Sequence, residues 1–253
     1  MKQQAVVAEQ FGSTASAYLT SAVHAQGEDL ATIRKIASRH ASPRVLDLGC
    51  GAGHVSFAVA PLAASVTAYD LSAEMLAVVA HAAGERGLKN LETRQGPVEK
   101  LPFGDGAFDL VLTRFSAHHW LDVPAALKEI ERVLQPRGTV VFVDVVAPEV
   151  PLHDTFLQTA ELLRDASHVR DYRVSEWTSM LANAGFRHEC LGSWKLVMKF
   201  AEWTARMRTP AERVQAIRSV FDAAPEETAQ YFAVQADHSF SIDAALFEAR
   251  KQQ

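Results

Sequence analysis

Cysteine is scarce: Cys50 and Cys190 are the only two in 253 residues. That excludes a disulfide framework and a cysteine-based metal centre, and it suits a reducing compartment. Long apolar runs are missing too. None approaches the roughly 18 residues of a membrane span, and "MKQQAVVAEQFGSTASAYL" has no apolar stretch of leader length. Nor is there a surplus of positive charge: 25 Lys and Arg stand against 30 Asp and Glu, for a net charge of −5. Such a chain is a poor binder of nucleic-acid backbones, which are held by cations on phosphates. Internal repeats and low-complexity tracts are absent. The expectation is a cytoplasmic protein, monomer or homodimer, with no membrane span and no nucleic-acid partner.

What is present is ordinary globular chemistry: 48% of residues are hydrophobic, enough at this length for a sizeable core. The stretches "AVVAEQFGSTASAYLTS" and "GEDLATIRKIASRH" read as helices, with Leu30, Ile33 and Ile36 at helical spacing. Pro43 closes that part. From Arg44 strands and helices alternate. "RVLDL", "SVTAYD", "LETRQ", "FDLVLTR" and "TVVFVDVV" read as strands. Between them "HVSFAVAPLA", "SAEMLAVVAHAAGERG" and "VPAALKEIERVL" read as helices. Ser72 is the expected N-cap of the second and Gly87 its stop; "QPRG" ends the third. This rhythm predicts a doubly wound α/β sheet covered on both faces.

After Val146 the rhythm changes. "HDTFLQTAELLRDA" and "VSEWTSMLANAG" read as helices, and "FRHECLGSWKLVMKF" and "SFSIDAALFEARK" as the last two strands of a seven-stranded, mostly parallel sheet. The segment Ala201–Ala236, broken by Pro210 and Pro225, reads as a helical cap over the sheet's functional edge. One domain is expected over 1–253, with N-terminal helices in 1–43, a cofactor-binding core in 44–147 and a C-terminal part in 148–253.

The chemistry starts at "RVLDLGCGAGHVSF". Gly49, Gly51 and Gly53 follow a strand and precede a helix, where backbone can approach a ligand and helix N–H groups are free. A dinucleotide turn wants G-x-G-x-x-G; here the spacing is G-x-G-x-G and His54 stands in the sixth place. Asp47 sits just before the first glycine. Beside a pyrophosphate its charge is repulsive; beside an ammonium or sulfonium it is favourable. Asp70 closes the second strand, about 20 residues on, where an acid accepts hydrogen bonds from ribose hydroxyls.

Together "VLDLGCGAG", "AYDLSAEML", "LPFGDGAFDLVLTRFSAHHW" and "EIERVLQPRGTVVFVD" resemble the class I S-adenosylmethionine-dependent methyltransferases, in the small-molecule branch that includes the ubiquinone/menaquinone C-methyltransferases. The likeness is close over Val45–Val145 and looser outside. It implies the Rossmann-like methyltransferase fold, S-adenosylmethionine as cofactor with S-adenosylhomocysteine as product, no metal, and a small-molecule acceptor methylated at O, N or C. It also implies roles. Asp47 and the Gly49–Gly53 turn would hold the methionine part. Asp70 would take the ribose, and Leu71 would pack by the adenine. Val98 would offer its N–H to the adenine ring, Arg114 would border the methionine end, and Tyr18 would close over the cofactor. One departure is Pro97-Val98-Glu99, where the family usually carries Asp-Ala-Glu; Pro97 has no side-chain acceptor for the adenine amino group. Two other readings keep the fold: a nucleoside-binding sensor without turnover, and a nicotinamide oxidoreductase.

Methyl transfer needs alignment and dryness, and sometimes a base for the acceptor's proton. His118 and His119, in "SAHHW" after the fourth strand, are the candidate bases, or they only shape the pocket. His54 reads as a helix-start residue and Cys50 as small and buried. His24, His40 and His81 lack ligand spacing for a metal. Arg206, Arg208, Arg213 and Arg218, with Lys195 and Lys199, read either as a solvated face or as a site for an anionic acceptor. Trp177, Trp194 and Trp203 read as core or as acceptor-pocket wall. Only Asp144 presents itself as a further acid near the site.

Overall fold

The protein is described by a computed structural model over residues 2–12 and 27–252. Among the described residues, two helices come first, α1 (Gln3–Gly12) and α2 (Glu28–Ala37). Then β1 (Arg44–Leu48), α3 (His54–Val59), β2 (Ser65–Asp70), α4 (Ala73–Glu85), β3 (Leu91–Gln95) and β4 (Phe108–Arg114) alternate as expected. A short 3-10 turn, Ala117–His119, leads into α5 (Val123–Val133), β5 (Leu134–Ala147) and α6 (Pro151–Arg164). The chain ends with β6 (Tyr172–Arg173), α7 (Val174–Asn183), β7 (Phe186–Met198), α8 (Phe200–Arg206), α9 (Ala211–Asp222), α10 (Glu226–Tyr231) and β8 (Phe240–Lys251).

The sheet order is β3-β2-β1-β4-β5-β8-β7. β8 runs antiparallel to β5 and to β7, so the two last long strands form one edge of a mostly parallel seven-stranded sheet. The two-residue β6 is an eighth strand that the sequence pattern does not announce; it pairs Tyr172 and Arg173 with Val146 and Ala147 at the end of β5. A second difference concerns "QPRG". Leu134 already pairs with Phe108, so the motif is a kink inside β5 instead of a linker before it. Arg137 takes positive φ there, and a Cβ on Gly138 would press on the Gln135 carbonyl.

Successive strand residues face opposite sides, which divides the core in two. Leu46, Val111, Val140 and Phe142 meet α5 and α7 on one face. Val45, Leu110, Leu112, Val141 and Val143 meet α2 and α3 on the other. The caps work locally: Ser72 accepts the Met75 N–H at 3.1 Å, and Gly87 ends α4 with φ of 65°. A third cluster lies past the carboxyl end of β5. Phe156, Leu157 and Ala160 of α6 pack against Trp203, Ile217, Phe221 and Phe232 of the expected cap and against Phe200 just before it, with Phe240 and Ile242 of β8. No helix among the described residues is long and apolar enough to cross a membrane.

Trp177 belongs to the first face, 5.1 Å from the Phe142 ring and 6.0 Å from Phe247, and its Nε1–H is buried without a partner among the described residues. It is core and not acceptor wall. Trp177→Ala should therefore cost about 3–5 kcal/mol in urea unfolding. Trp177→Phe should cost far less, because it removes an unsatisfied donor along with the lost volume.

Candidate active site

The carboxyl ends of β1, β2, β4 and β5 open into one cavity of about 800 Å³. That is ample for a nucleoside-sized ligand and a small second molecule. One half is lined by Asp47, Gly49, Gly51, Asp70, Leu71, Gly96 and Val98. The other is lined by His118, His119, Glu161, Arg164, Asp165, Asp171, Trp194 and Trp203.

Asp47 is the last residue but one of β1, within its buried run, and is 1% exposed. Its Oδ2 accepts both the backbone N–H of Ser56, at 3.0 Å, and the Ser56 hydroxyl, at 2.6 Å. The acid therefore ties down the first turn of α3 from inside, and one of the helix N–H groups expected to face a ligand is spent on it. Burial pushes the Asp47 carboxyl up to about 7, against the pull of the Ser56 bonds. Asp70 does similar work: its Oδ2 accepts the Gly51 N–H and its Oδ1 the Ser72 N–H, each at 2.9 Å. Burial raises it above the usual carboxylate range. A carboxylate has about four acceptor positions, so both acids keep free lone pairs at the cavity wall.

The glycines divide. Gly49 has φ of 63°, and a Cβ there would strike the Ser116 hydroxyl. Gly51 has φ of 50°, and a Cβ would meet nothing, so its bareness leaves open space above the turn. Gly53 does not line the cavity. It caps α3 with φ of 83° and lets α3 approach α4, since a Cβ would sit 3.0 Å from Phe57 and Val79. Gly96, which sequence reading passed over, is needed because the Tyr69 ring occupies the place of its Cβ; the Tyr69 hydroxyl donates to the Pro97 carbonyl at 3.2 Å. Cys50 is buried and its thiol is pushed well above its ordinary value by that burial, which makes it packing and not a nucleophile.

Arg114 reaches the cavity, but its Nε also donates to the buried Asp29 of α2 at 2.5 Å. That pair joins α2 to the end of β4. Tyr18 and His24 lie outside the described residues.

In the second half, His118 Nδ1 lies 2.6 Å from Asp144 Oδ1. Asp144 also accepts the N–H groups of Ala117 and Val145, each at 2.8 Å, so it fixes both the ring and the turn that carries it. Burial alone would lower His118, but the charge and hydrogen bond of Asp144 overcome it and raise the ring to about 9. His119 is the opposite. Burial and the neighbouring His118 charge lower it to about 3, and its Nδ1–H points to the Ser167 carbonyl at 3.1 Å. Glu161, Asp165 and Asp171 are acids of this half that the sequence does not reveal; they come from α6 and the loop after it, brought in by that loop's return to β5. Trp194 and Trp203 do line the cavity. Of the four arginines named for the insertion only Arg206 reaches it; Arg218 stacks on Phe200 and meets His238. Lys195 pairs with Asp243 and Lys199 with Glu202, as solvated groups do. Among the described residues no cluster of His, Cys, Asp or Glu has the makings of a metal site.

The comparisons with known proteins agree with this geometry. Residues 46–142 match the family described as "Methyltransferase domain". The chain is 48% identical over 203 residues to the protein YafE of Escherichia coli K12, covering 80% of this chain and 98% of that one. It is 36% identical over 247 residues to the methyltransferase YcgJ of Bacillus subtilis, covering 96% and 98%. The crystal structure of YcgJ superposes with a TM-score of 0.86 at 35% identity, over 89% of this chain and 99% of that one. A demethylmenaquinone methyltransferase of Chlorobaculum parvum is 33% identical over 120 residues, about half of each protein: 47% and 48%. A glycine turn with an acid before it, a second acid at the end of β2, and kinship over nearly the whole length lead to one conclusion: the chain is an enzyme of the class I S-adenosylmethionine-dependent methyltransferases and resembles the menaquinone C-methyltransferase group among them.

Proposed function

We propose that S-adenosylmethionine occupies the half of the cavity between the glycine turn and the Gly96–Val98 loop, and that a small, partly apolar acceptor lies beyond it against His118. What carries this reading is the convergence of Asp47, Gly51 and Asp70 on one side of a single cavity and of the His118–Asp144 pair on the other. The residues fit the cofactor. Asp47 supplies a buried negative charge for its cationic end, and Gly51 leaves the room that a side chain would fill. Asp70 has lone pairs free for the ribose hydroxyls. Leu71 and Val98 give the apolar edges for the adenine, with Arg114 and Gly49 at the methionine end. When bound, the cofactor supplies an electrophilic methyl group on a sulfonium.

The chain's own part is alignment, exclusion of water and handling of one proton. His118, oriented by Asp144, is proposed as the group that takes the acceptor's proton once it has lost its own. His119, neutral, is proposed to hold the acceptor in place and to serve as the lesser candidate base. The acceptor is a small molecule, no metal takes part, and no nucleic acid is bound. The chain is read as one domain, acting in the cytoplasm as a monomer or homodimer, with its acceptor chosen by the part after 148.

Two measurements test this. Calorimetric titration of S-adenosylmethionine should show affinity rising with pH up to about 7, the value of Asp47 in the empty site. Below that pH the raised carboxyl holds a proton and the counter-charge is lost, at up to about tenfold per pH unit. Asp47→Asn keeps an acceptor for Ser56 but should bind about tenfold more weakly and lose the slope. Unchanged affinity would sink the placement. Release of S-adenosylhomocysteine on incubation with small-molecule extract fractions will identify a working acceptor. With it, kcat/KM should climb toward about pH 9 in the wild type, because His118 must first deprotonate. His118→Gln should be slow and should lack the climb; a retained climb removes His118 as the base.

A further inference from the structure

Three carboxyl groups line the far half of the cavity, and a fourth, Asp144, stands behind His118. Their partners can be counted. Asp144 has the His118 ring and two backbone N–H groups. Glu161 has Arg164, at 3.1 Å. Asp165 has the N–H and hydroxyl of Ser167, at 2.8 and 2.6 Å, and its Oδ2 faces His119 Nε2 at 4.0 Å. Asp171 is different. It is 1% exposed, and its Oδ2 is buried with no hydrogen-bond partner among the described residues.

The nearby cations are committed elsewhere. Arg170 and Arg173 both go to Asp154, at 3.2 and 2.7 Å. Arg164 divides between Glu161 and the Trp203 carbonyl. The backbone of Asp171 is also pinned: its N–H donates to Gln158 Oε1 at 3.1 Å, and its carbonyl accepts from Gln158 Nε2 at 2.7 Å. Val169 and Arg170 donate to the His118 carbonyl, which locks this loop to the turn bearing the imidazoles. A buried polar group without a partner is costly and rarely kept without a use. Here it is held rigidly in the wall of a cavity, which is how a binding group is prepared.

Resting on the reading of this cavity as an acceptor site, we propose that Asp171 is its polar anchor, accepting a hydrogen bond from an O–H or N–H group on the acceptor. The acceptor's apolar remainder lies along Leu196, Met198 and Ile242, which line the same cavity. The substrate class is thus an amphipathic small molecule with a hydroxyl or amino head. An anionic head has no hydrogen to give the Asp171 acceptor, and it would meet Glu161 and Asp165 as well as Arg164 and Arg206. Burial pushes the Asp171 carboxyl well above its ordinary value, with the His118 charge opposing. A neutral hydroxyl can bind that protonated acid as it stands, whereas an ammonium must displace its proton.

The test uses four probes of one shape on the full chain, with and without S-adenosylhomocysteine: benzyl alcohol, benzylamine, toluene and benzoate. Binding is read by ligand-observed NMR titration. At least one of the two donors should bind about tenfold or more tightly than toluene and benzoate, the worth of one good hydrogen bond to a charged or polar partner. Proton release on benzylamine binding, measured in buffers of different ionisation heat, tells the amine arm from the alcohol arm. Asp171→Ala should reduce both donors to the level of toluene. Asp171→Asn, the variant closer in shape, should keep alcohol binding and lose amine binding. Equal binding of all four probes, a preference for benzoate, or a donor preference surviving in both variants overturns the proposal. Titration of S-adenosylhomocysteine alone judges the parent reading separately: its failure with the donor preference intact sinks the cofactor placement and leaves the anchor standing.

Discussion

The site depends on one buried carboxylate at the end of one strand. Asp47 is nearly solvent-free, and its single Oδ2 carries both hydrogen bonds from Ser56. Those bonds decide where α3 begins, and the start of α3 decides the shape of the glycine turn before it. Taking a carboxylate out of water costs several kcal/mol unless it is compensated. Two short donors compensate only in part, and for this reason the carboxyl titrates near neutrality. The strain sits where a cationic ligand can relieve it, which joins the stability of the turn to its occupation.

The same device is used three times along the carboxyl edge. Asp70 ends β2 and holds Gly51 and Ser72 by their N–H groups. Asp144, near the end of β5, holds Ala117 and Val145 in the same way. In each case an acid on a rigid strand accepts backbone N–H groups at 2.8–3.0 Å and so grips the segment beside it. The loops that form the cavity are each tied to a strand in this way, and the loop after α6 is tied as well to the turn that bears His118, through the N–H groups of Val169 and Arg170. The third apolar cluster, built from α6 and α8 to α10, stands behind the His118 half of the cavity.

How much of this was readable in the sequence follows the distance between the parts. The strand–turn–helix at β1, the acid at the end of β2 and the Ser72 cap are local, and their residue types state where they stand in the fold. The seven-stranded, mostly parallel sheet was readable from rhythm and from the two long late strands, whereas the antiparallel run of β8 between β5 and β7 came only with the structure. Gly53 was misplaced because a glycine needed for helix approach looks like one needed for a ligand; only the contacts with Phe57 and Val79 tell them apart. Asp29, Glu161, Asp165 and Asp171 were invisible for another reason. Stretches such as "DASHVRDYR" have the composition of a solvated loop. They are buried because β6 draws the connection back against β5 and the Gln158 side chain ties it to α6, and no local pattern encodes either.

Three imidazoles meet at the His118 end of the cavity, His118 and His119 in its wall: the His118 ring lies 4.2 Å from that of His119 and 6.0 Å from that of His168. Charges this close, away from water, repel by several kcal/mol, so the group holds one proton in excess of neutrality and not three. Asp144 chooses where it resides. Its contact with His118 raises that ring to about 9, while burial and then the His118 charge bring His119 and His168 down to about 3. The neutral rings are fixed in complementary tautomers, His119 donating from Nδ1 to the Ser167 carbonyl and His168 from Nε2 to Gln158. Each imidazole therefore has a different chemical character at neutral pH, although the sequence "SAHHW" offers two of them as equals. That asymmetry comes from one carboxylate on β5. Removing it would free all three rings to compete for the same proton and would take away the backbone clamp that holds two of them in place.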